Sequence, residues 1–125
     1  MSDDARDVVL VVEDDPSILM VLSAYLSAEG YRVLEAENGE EAFAILASKP
    51  HLDMMITDFR LPGGINGVQI AEPAVKLRPE LKVIFISGYA QEVRETDSPI
   101  TRKAPILDKP FDLDKLQELM QDMLS

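Results

Sequence analysis

Carboxylate, hydroxyl and amine side chains occur at four separated places in this sequence: the acidic triplet Glu13–Asp15, Asp58, Ser87 and Lys109. Carboxylates that are crowded together repel one another unless a cation neutralises their charge. Hard oxygen ligands of this kind favour Mg²⁺, which also bridges phosphate oxygens. A carboxylate nucleophile, a divalent cation, a lysine and a hydroxyl together predict a site of phosphoryl transfer to an aspartate.

Each of these places closely follows a short apolar run that predicts a buried strand. Val8–Val12 is continuous and mostly β-branched, which is typical of a strand buried on both faces. The other predicted strands are Tyr31–Ala36, Met54–Thr57, Val83–Ile86 and Ile106–Leu107.

Patterns of helical period separate the predicted strands. Helices are expected to begin after Asp15, Asn38 and Asp112, whose side chains can cap the free amides of a first turn. Pro73 lies inside the third predicted helix and is expected to kink it. The polar segment Tyr89–Ala104 is expected to hold one short helix.

The alternation of strand and helix, five times over, predicts an α/β fold: a (βα)₅ doubly wound domain with a parallel sheet. Right-handed crossovers place the carboxyl ends of parallel strands along one edge, where open α/β sheets carry their sites. We therefore expect the four polar groups to meet there. The length of 125 residues suits one domain, residues 1–125.

Composition excludes several other kinds of site. The chain has 12 Lys and Arg against 23 Asp and Glu, a formal charge of −11, which disfavours direct binding to DNA or to anionic lipid. It has no cysteine and one histidine, His51, which excludes disulfides, thiol catalysis and multi-histidine metal sites. No apolar run approaches the ~20 residues of a membrane span, and the polar N-terminus is not a targeting signal. We expect a cytoplasmic protein.

Four motifs in order give the chain a resemblance to receiver domains of two-component response regulators, from about Val8 to Leu124. These motifs are Val11-Val12-Glu13-Asp14, Asp58 with Leu61-Pro62 and Asn66-Gly67, Ile86-Ser87-Gly88, and Lys109-Pro110-Phe111. The resemblance implies a five-stranded sheet of flavodoxin-like order 2-1-3-4-5. Receivers of hybrid histidine kinases and single-domain response regulators are the most similar.

The resemblance also implies a metal site. Asp14 would bind Mg²⁺ directly, and Glu13 would act mostly through a metal-bound water. Asp58 and the backbone carbonyl of Arg60 would complete the protein ligands.

The same resemblance implies how phosphate is handled. Asp58 would receive the phosphoryl group, and Ser87 and Lys109 would contact its oxygens. Lys109-Pro110 is similar to the family's cis-proline turn, which would aim the amine inward.

Two features depart from the family pattern. One extra residue lies between Asp58 and Gly67, in a loop that contains Pro62-Gly63-Gly64. Ile106 stands where the family often has an aromatic residue, so an aromatic rotamer switch is unavailable at that place. Phe85 or Tyr89 could move instead.

The partners implied by the resemblance are proteins. The phosphoryl donor would be a histidine kinase or a histidine phosphotransfer protein, and a downstream effector would read the switch; homodimerisation is left open. The signal is expected to leave by protein contact or onward transfer, unless the chain is a piece of a hybrid kinase. On this interpretation the protein is not a turnover enzyme but a self-phosphorylating acceptor that can also dephosphorylate itself.

Two alternatives compete with this interpretation. A Mg²⁺-dependent phosphohydrolase with an aspartyl-phosphate intermediate would need a second aspartate two positions after the nucleophile, where this chain has Arg60. A constitutive adaptor that has lost phosphorylation would have no need of all five polar site residues. Taken alone, Asp58 and Ser87 are also common turn residues, and the acidic triplet is an ordinary strand end.

Overall fold

The computed structural model describes residues 6–48, 50–96 and 98–124. The strands are β1 (Val8–Val12), β2 (Arg32–Ala36), β3 (Met54–Asp58), β4 (Lys82–Ser87) and β5 (Ile106–Asp108). The helices are α1 (Pro16–Ala28), α2 (Gly39–Ala47), α3 (Gly67–Leu77), α4 (Ala90–Arg94), α5 (Pro99–Lys103) and α6 (Leu113–Leu124), with a short 3₁₀ turn at Pro62–Gly64.

The five strands form one sheet in the order β2-β1-β3-β4-β5, and every neighbouring pair is parallel. This confirms the predicted fold class and strand order. Among the described residues, no helix has both the length and the apolar character needed to cross a bilayer.

The sheet separates two apolar cores because successive residues of a strand point to opposite faces. On β1, Val8, Leu10 and Val12 pack in a core with residues of α2 and α3. Val9 and Val11 belong to the other core, with residues of α1 and α6. All five residues of β1 are buried, which explains its continuous apolar run.

Side chains cap the helices at the predicted places. Asp15 accepts hydrogen bonds from the amides of the first turn of α1, and Asn38 does the same for α2. Asp112 accepts a hydrogen bond from the amide of Asp114 at the start of α6. Asn66 and Gln69 form a reciprocal capping box at α3 that the sequence analysis did not predict.

Two of the helical segments differ from what the sequence predicted or add detail to it. The segment predicted to hold one short helix contains two, α4 and α5, because Ser98 caps a second helix that begins with Pro99. Helix α3 continues past Pro73 to Leu77. Gln69, whose carbonyl cannot receive a bond from Pro73, lies on the exposed side, where water can hydrogen-bond to it.

Candidate functional site

Strand register gathers the predicted site residues at the carboxyl edge of the sheet. Val12 of β1 lies opposite Thr57 of β3, so Glu13 and Asp58 follow side by side. On the other side of β3, Ser87 pairs with Asp108, and the amide of Lys109 donates to the carbonyl of Ser87 at 2.9 Å.

Three carboxylates converge there. One oxygen each from Glu13, Asp14 and Asp58 lies within 4.8 Å of the others. Glu13 is 1% and Asp58 3% exposed, whereas Asp14 is open to solvent. We call these three residues together with Lys109 the acidic pocket.

The ammonium of Lys109 bridges the two buried carboxylates. Its Nζ lies 2.9 Å from Oδ1 of Asp58 and 3.3 Å from Oε1 of Glu13. The other oxygen of Glu13 accepts a hydrogen bond from the amide of Asp15 at 3.0 Å. With one ammonium against three carboxylates, the acidic pocket keeps excess negative charge.

Burial and the neighbouring charges shift the pKa values of both Asp58 and Lys109. Burial raises the pKa of Asp58 to about 8, and the neighbouring Glu13 adds to the shift while Lys109 opposes it. Burial lowers the pKa of the Lys109 ammonium, but its contacts with Asp58 and Glu13 outweigh that effect and hold the pKa above its ordinary value. Asp58 therefore needs further positive charge nearby to be ionised at neutral pH.

The donor set fits Mg²⁺. All three side chains offer hard oxygens, and the exposed Asp14 leaves one side accessible to water, which Mg²⁺ retains as ligand. The described residues contain no other cluster of three or more metal-ligating side chains.

Ser87 ends β4 at the same edge of the sheet as the acidic pocket. Its Oγ accepts a hydrogen bond from the amide of Tyr89 at 2.9 Å. Within the described ranges it donates to no acceptor, so its proton is available. The peptide bond between Lys109 and Pro110 is cis, as the resemblance implied.

Tight packing holds the backbone around Asp58. The hydroxyl of Thr57 donates to the Asp58 carbonyl at 2.9 Å, and the amide of Gly67 donates to the carbonyl of Phe59 at 2.7 Å. A Cβ added at Gly67 would lie 2.4 Å from the Asp58 carbonyl oxygen. Neither contact is predicted by a motif in the sequence; a buried strand hydroxyl that needs a hydrogen-bond partner, Thr57, was the available signal.

A second polar group connects the loop after β3 to α4. Nε of Arg60 donates to Glu92 at 2.7 Å, and the guanidinium lies 5.4 Å from the centre of the Tyr89 ring. Tyr89 is 67% exposed, whereas Phe85 is fully buried. Of the two aromatic residues considered in place of Ile106, Tyr89 is therefore the one with room to move.

Comparison with known protein families identifies the chain. The family model for the response regulator receiver domain matches residues 9–121. The response regulator receiver protein CpdR of Brucella abortus (strain 2308) is 34% identical over 116 residues, which cover 93% of this chain and 95% of that protein.

The chain is also similar to part of a sensor kinase and to a response regulator of known crystal structure. The sensor kinase CckA of Brucella abortus is 33% identical over 117 residues, 93% of this chain but 12% of that protein. The crystal structure of the response regulator TrrA from Thermotoga maritima, in complex with Mg²⁺ and BeF, has a TM-score of 0.80 and 33% identity, and covers 94% of this chain and 99% of that one. No similarity supports the phosphohydrolase interpretation. The chain belongs to the receiver domains of two-component response regulators and acts in phosphoacceptor signalling.

Proposed function

We propose that Asp58 is the phosphoacceptor of this receiver domain and that its phosphorylation requires Mg²⁺. One observation carries the proposal: Asp58 is a buried carboxylate grouped with two others and held 2.9 Å from a lysine ammonium. The likeness to TrrA, which binds Mg²⁺ with BeF, supports a magnesium site in this fold.

The metal ligands would come from three places in the chain. Asp14 and Asp58 would coordinate Mg²⁺ directly, Glu13 would act mostly through a bound water, and the backbone carbonyl of Arg60 would complete the protein ligands. When bound, Mg²⁺ supplies positive charge that offsets repulsion among the carboxylates and the phosphoryl oxygens.

The chain's own residues account for the transfer step. An oxygen of ionised Asp58 attacks the phosphorus of a phosphohistidine, so a P–O bond forms as the P–N bond breaks and its electron pair stays on the donor imidazole. Lys109 pairs with one oxygen of the transferred group, and the free proton of the Ser87 hydroxyl is donated to another. These contacts draw both residues toward Asp58 and alter the β4–α4 and β5 surface that a partner reads.

The partners that fit this chemistry are proteins. A histidine kinase or histidine phosphotransfer protein would donate the phosphoryl group, and a downstream effector would read the altered face. The charge of −11 favours protein contact over direct contact with DNA. We further infer that residues 1–125 form a single receiver domain, that it works in the cytoplasm, and that it is an acceptor rather than a turnover enzyme.

Incubation with acetyl phosphate and Mg²⁺, followed by intact mass measurement, tests the assignment. The wild-type chain is expected to gain one acid-labile phosphoryl group that EDTA prevents. Asp58→Asn should gain none, while the matched control Asp112→Asn, which keeps a capping side chain at α6, should behave as wild type. A phosphoryl group on Asp58→Asn would contradict the assignment, and turnover of many acetyl phosphate molecules per chain would favour the phosphohydrolase.

A further inference from the structure

A groove of about 1100 Å³ lies at the amino edge of the sheet, away from the acidic pocket. Helices α3 and α5 and the end of α6 border it, and the start of β4 forms part of its wall. Four prolines and aliphatic side chains including Val75, Leu81, Ile100 and Met123 line it. Side chains of this kind favour an apolar occupant, because covering them removes apolar surface from water.

Three lysines stand among these apolar residues: Lys76, Lys82 and Lys103. All three are exposed, and within the described part of the chain none has an ion-pair partner. We call the three residues and the apolar lining the lysine groove.

The lysine groove reverses the charge balance of the chain. Two carboxylates also line it, Glu72, which accepts a hydrogen bond from the Ser98 hydroxyl at 2.7 Å, and Asp122. Among the described lining residues, three lysines therefore stand against two carboxylates, although acidic residues outnumber basic ones 23 to 12 in the whole chain. An anionic partner is attracted locally to this groove and repelled by most of the remaining surface.

The lining favours a protein occupant over a nucleic acid. Single-stranded nucleic acids bind through cations combined with aromatic side chains on which bases stack. None of the described residues that line the lysine groove is aromatic. Aliphatic side chains and prolines instead suit the apolar face of a peptide segment, with the lysines placed for its acidic residues.

We propose that the lysine groove docks an acidic, amphipathic segment of a partner protein. The groove borders the start of β4, whereas the acidic pocket lies at the end of that strand, so a segment bound there leaves the phosphoacceptor site open. The partner can thus remain attached while a phosphoryl donor engages Asp58. This site is independent of the proposed phosphorylation of Asp58.

Selection from a library of short random peptides displayed on phage tests this proposal. Wild-type chain is the bait, and the charge-reversed variant Lys76→Glu/Lys82→Glu/Lys103→Glu is the counter-selection. Enriched peptides are expected to alternate acidic with large apolar residues. Charge reversal should weaken their binding by at least about tenfold, while Lys115→Glu, an exposed lysine on α6, should leave it unchanged. Circular dichroism and urea unfolding of the triple variant verify its fold.

Four results would overturn the proposal. These are a failure to enrich any peptide, enrichment of basic or neutral peptides, equal binding to the triple variant, and amide shift changes outside the groove when the best peptide is titrated in NMR. Displacement of the peptide by single-stranded DNA at equal concentration would reassign the groove to nucleic acid. Self-association of the wild-type chain that the triple variant lacks would reassign it to a second copy.

Discussion

The acidic pocket and the lysine groove adjoin opposite ends of β4, and their charged side chains differ in exposure to solvent. In the pocket, Glu13 and Asp58 are almost fully withdrawn from solvent and share one ammonium. In the groove, Lys76, Lys82 and Lys103 extend into solvent. The buried carboxylates lose hydration that a single lysine replaces only in part, whereas the exposed lysines keep theirs.

This difference in solvent exposure gives the charges of the two regions different effects on the stability of the fold. The acidic pocket holds unfavourable electrostatic free energy that a bound cation can relieve, so cation binding there is coupled to the protein's stability. The lysine groove holds little, so its charges can attract a partner without weakening the fold. Substitutions that change charge in one region or the other test this contrast.

The largest effect is expected from Lys109→Met. Removing the ammonium leaves the buried Glu13 carboxylate without its cation and Asp58 without its hydrogen-bond donor, which should lower the free energy of unfolding by about 3 kcal/mol in EDTA. Urea unfolding monitored by circular dichroism measures the change. The control Lys115→Met, at an exposed position of α6, should change it by less than about 0.5 kcal/mol. Similar losses for both lysines would remove the contrast between buried and exposed charge.

Asp58 should make metal-free stability depend on pH. Its pKa of about 8 exceeds the ordinary 3.8, so between these values the folded state binds more protons than the unfolded state, and stability falls as pH rises. In EDTA, Asp58→Asn should become more stable relative to wild type by about 2 kcal/mol between roughly pH 6 and pH 8.

Chemical unfolding of both proteins across this range, with and without Mg²⁺, measures that difference. Millimolar Mg²⁺ should stabilise the wild type more than Asp58→Asn, because the ion replaces the proton as the compensating charge. A constant difference between the two proteins would show that Asp58 titrates normally.

Close packing around Asp58 should make Gly67→Ala destabilising. The added Cβ would lie 2.4 Å from the Asp58 carbonyl oxygen, so the backbone must shift. We expect a loss of about 1 to 3 kcal/mol in thermal or urea unfolding, together with slower phosphorylation. Gly88→Ala is the matched control, since nothing lies within 4 Å of its added Cβ. Equal losses of stability for the two substitutions would show that the backbone around Gly67 shifts at little energetic cost.

The smallest effect is expected at the pair of Arg60 and Glu92. Their side chains are 71% and 28% exposed, so solvent screens most of the attraction despite a separation of 2.7 Å. A double-mutant cycle with Arg60→Ala and Glu92→Ala should give a coupling below about 1 kcal/mol. A coupling as large as the effect of Lys109→Met would show that exposure does not decide the energetics here.

Much of this protein could be predicted from local sequence. β-branched runs such as Val8–Val12 identified the strands, and cap residues such as Asp15 and Asn38 located helix starts, because these signals act over a few neighbouring residues. The convergence of Glu13 with Asp58 also followed, since right-handed crossovers place the carboxyl ends of parallel strands along one edge. The strand order was implied by the resemblance to receiver domains.

Other features arose only from tertiary contacts. The closeness of Gly67 to the Asp58 carbonyl and the assembly of the lysine groove depend on how separate segments of the chain pack together. The raised pKa of Asp58 also depends on tertiary contacts, because neighbouring strands bury its carboxyl group. The sequence by itself determined which groups reach each edge of the sheet, and the tertiary structure decided which of them lose contact with water.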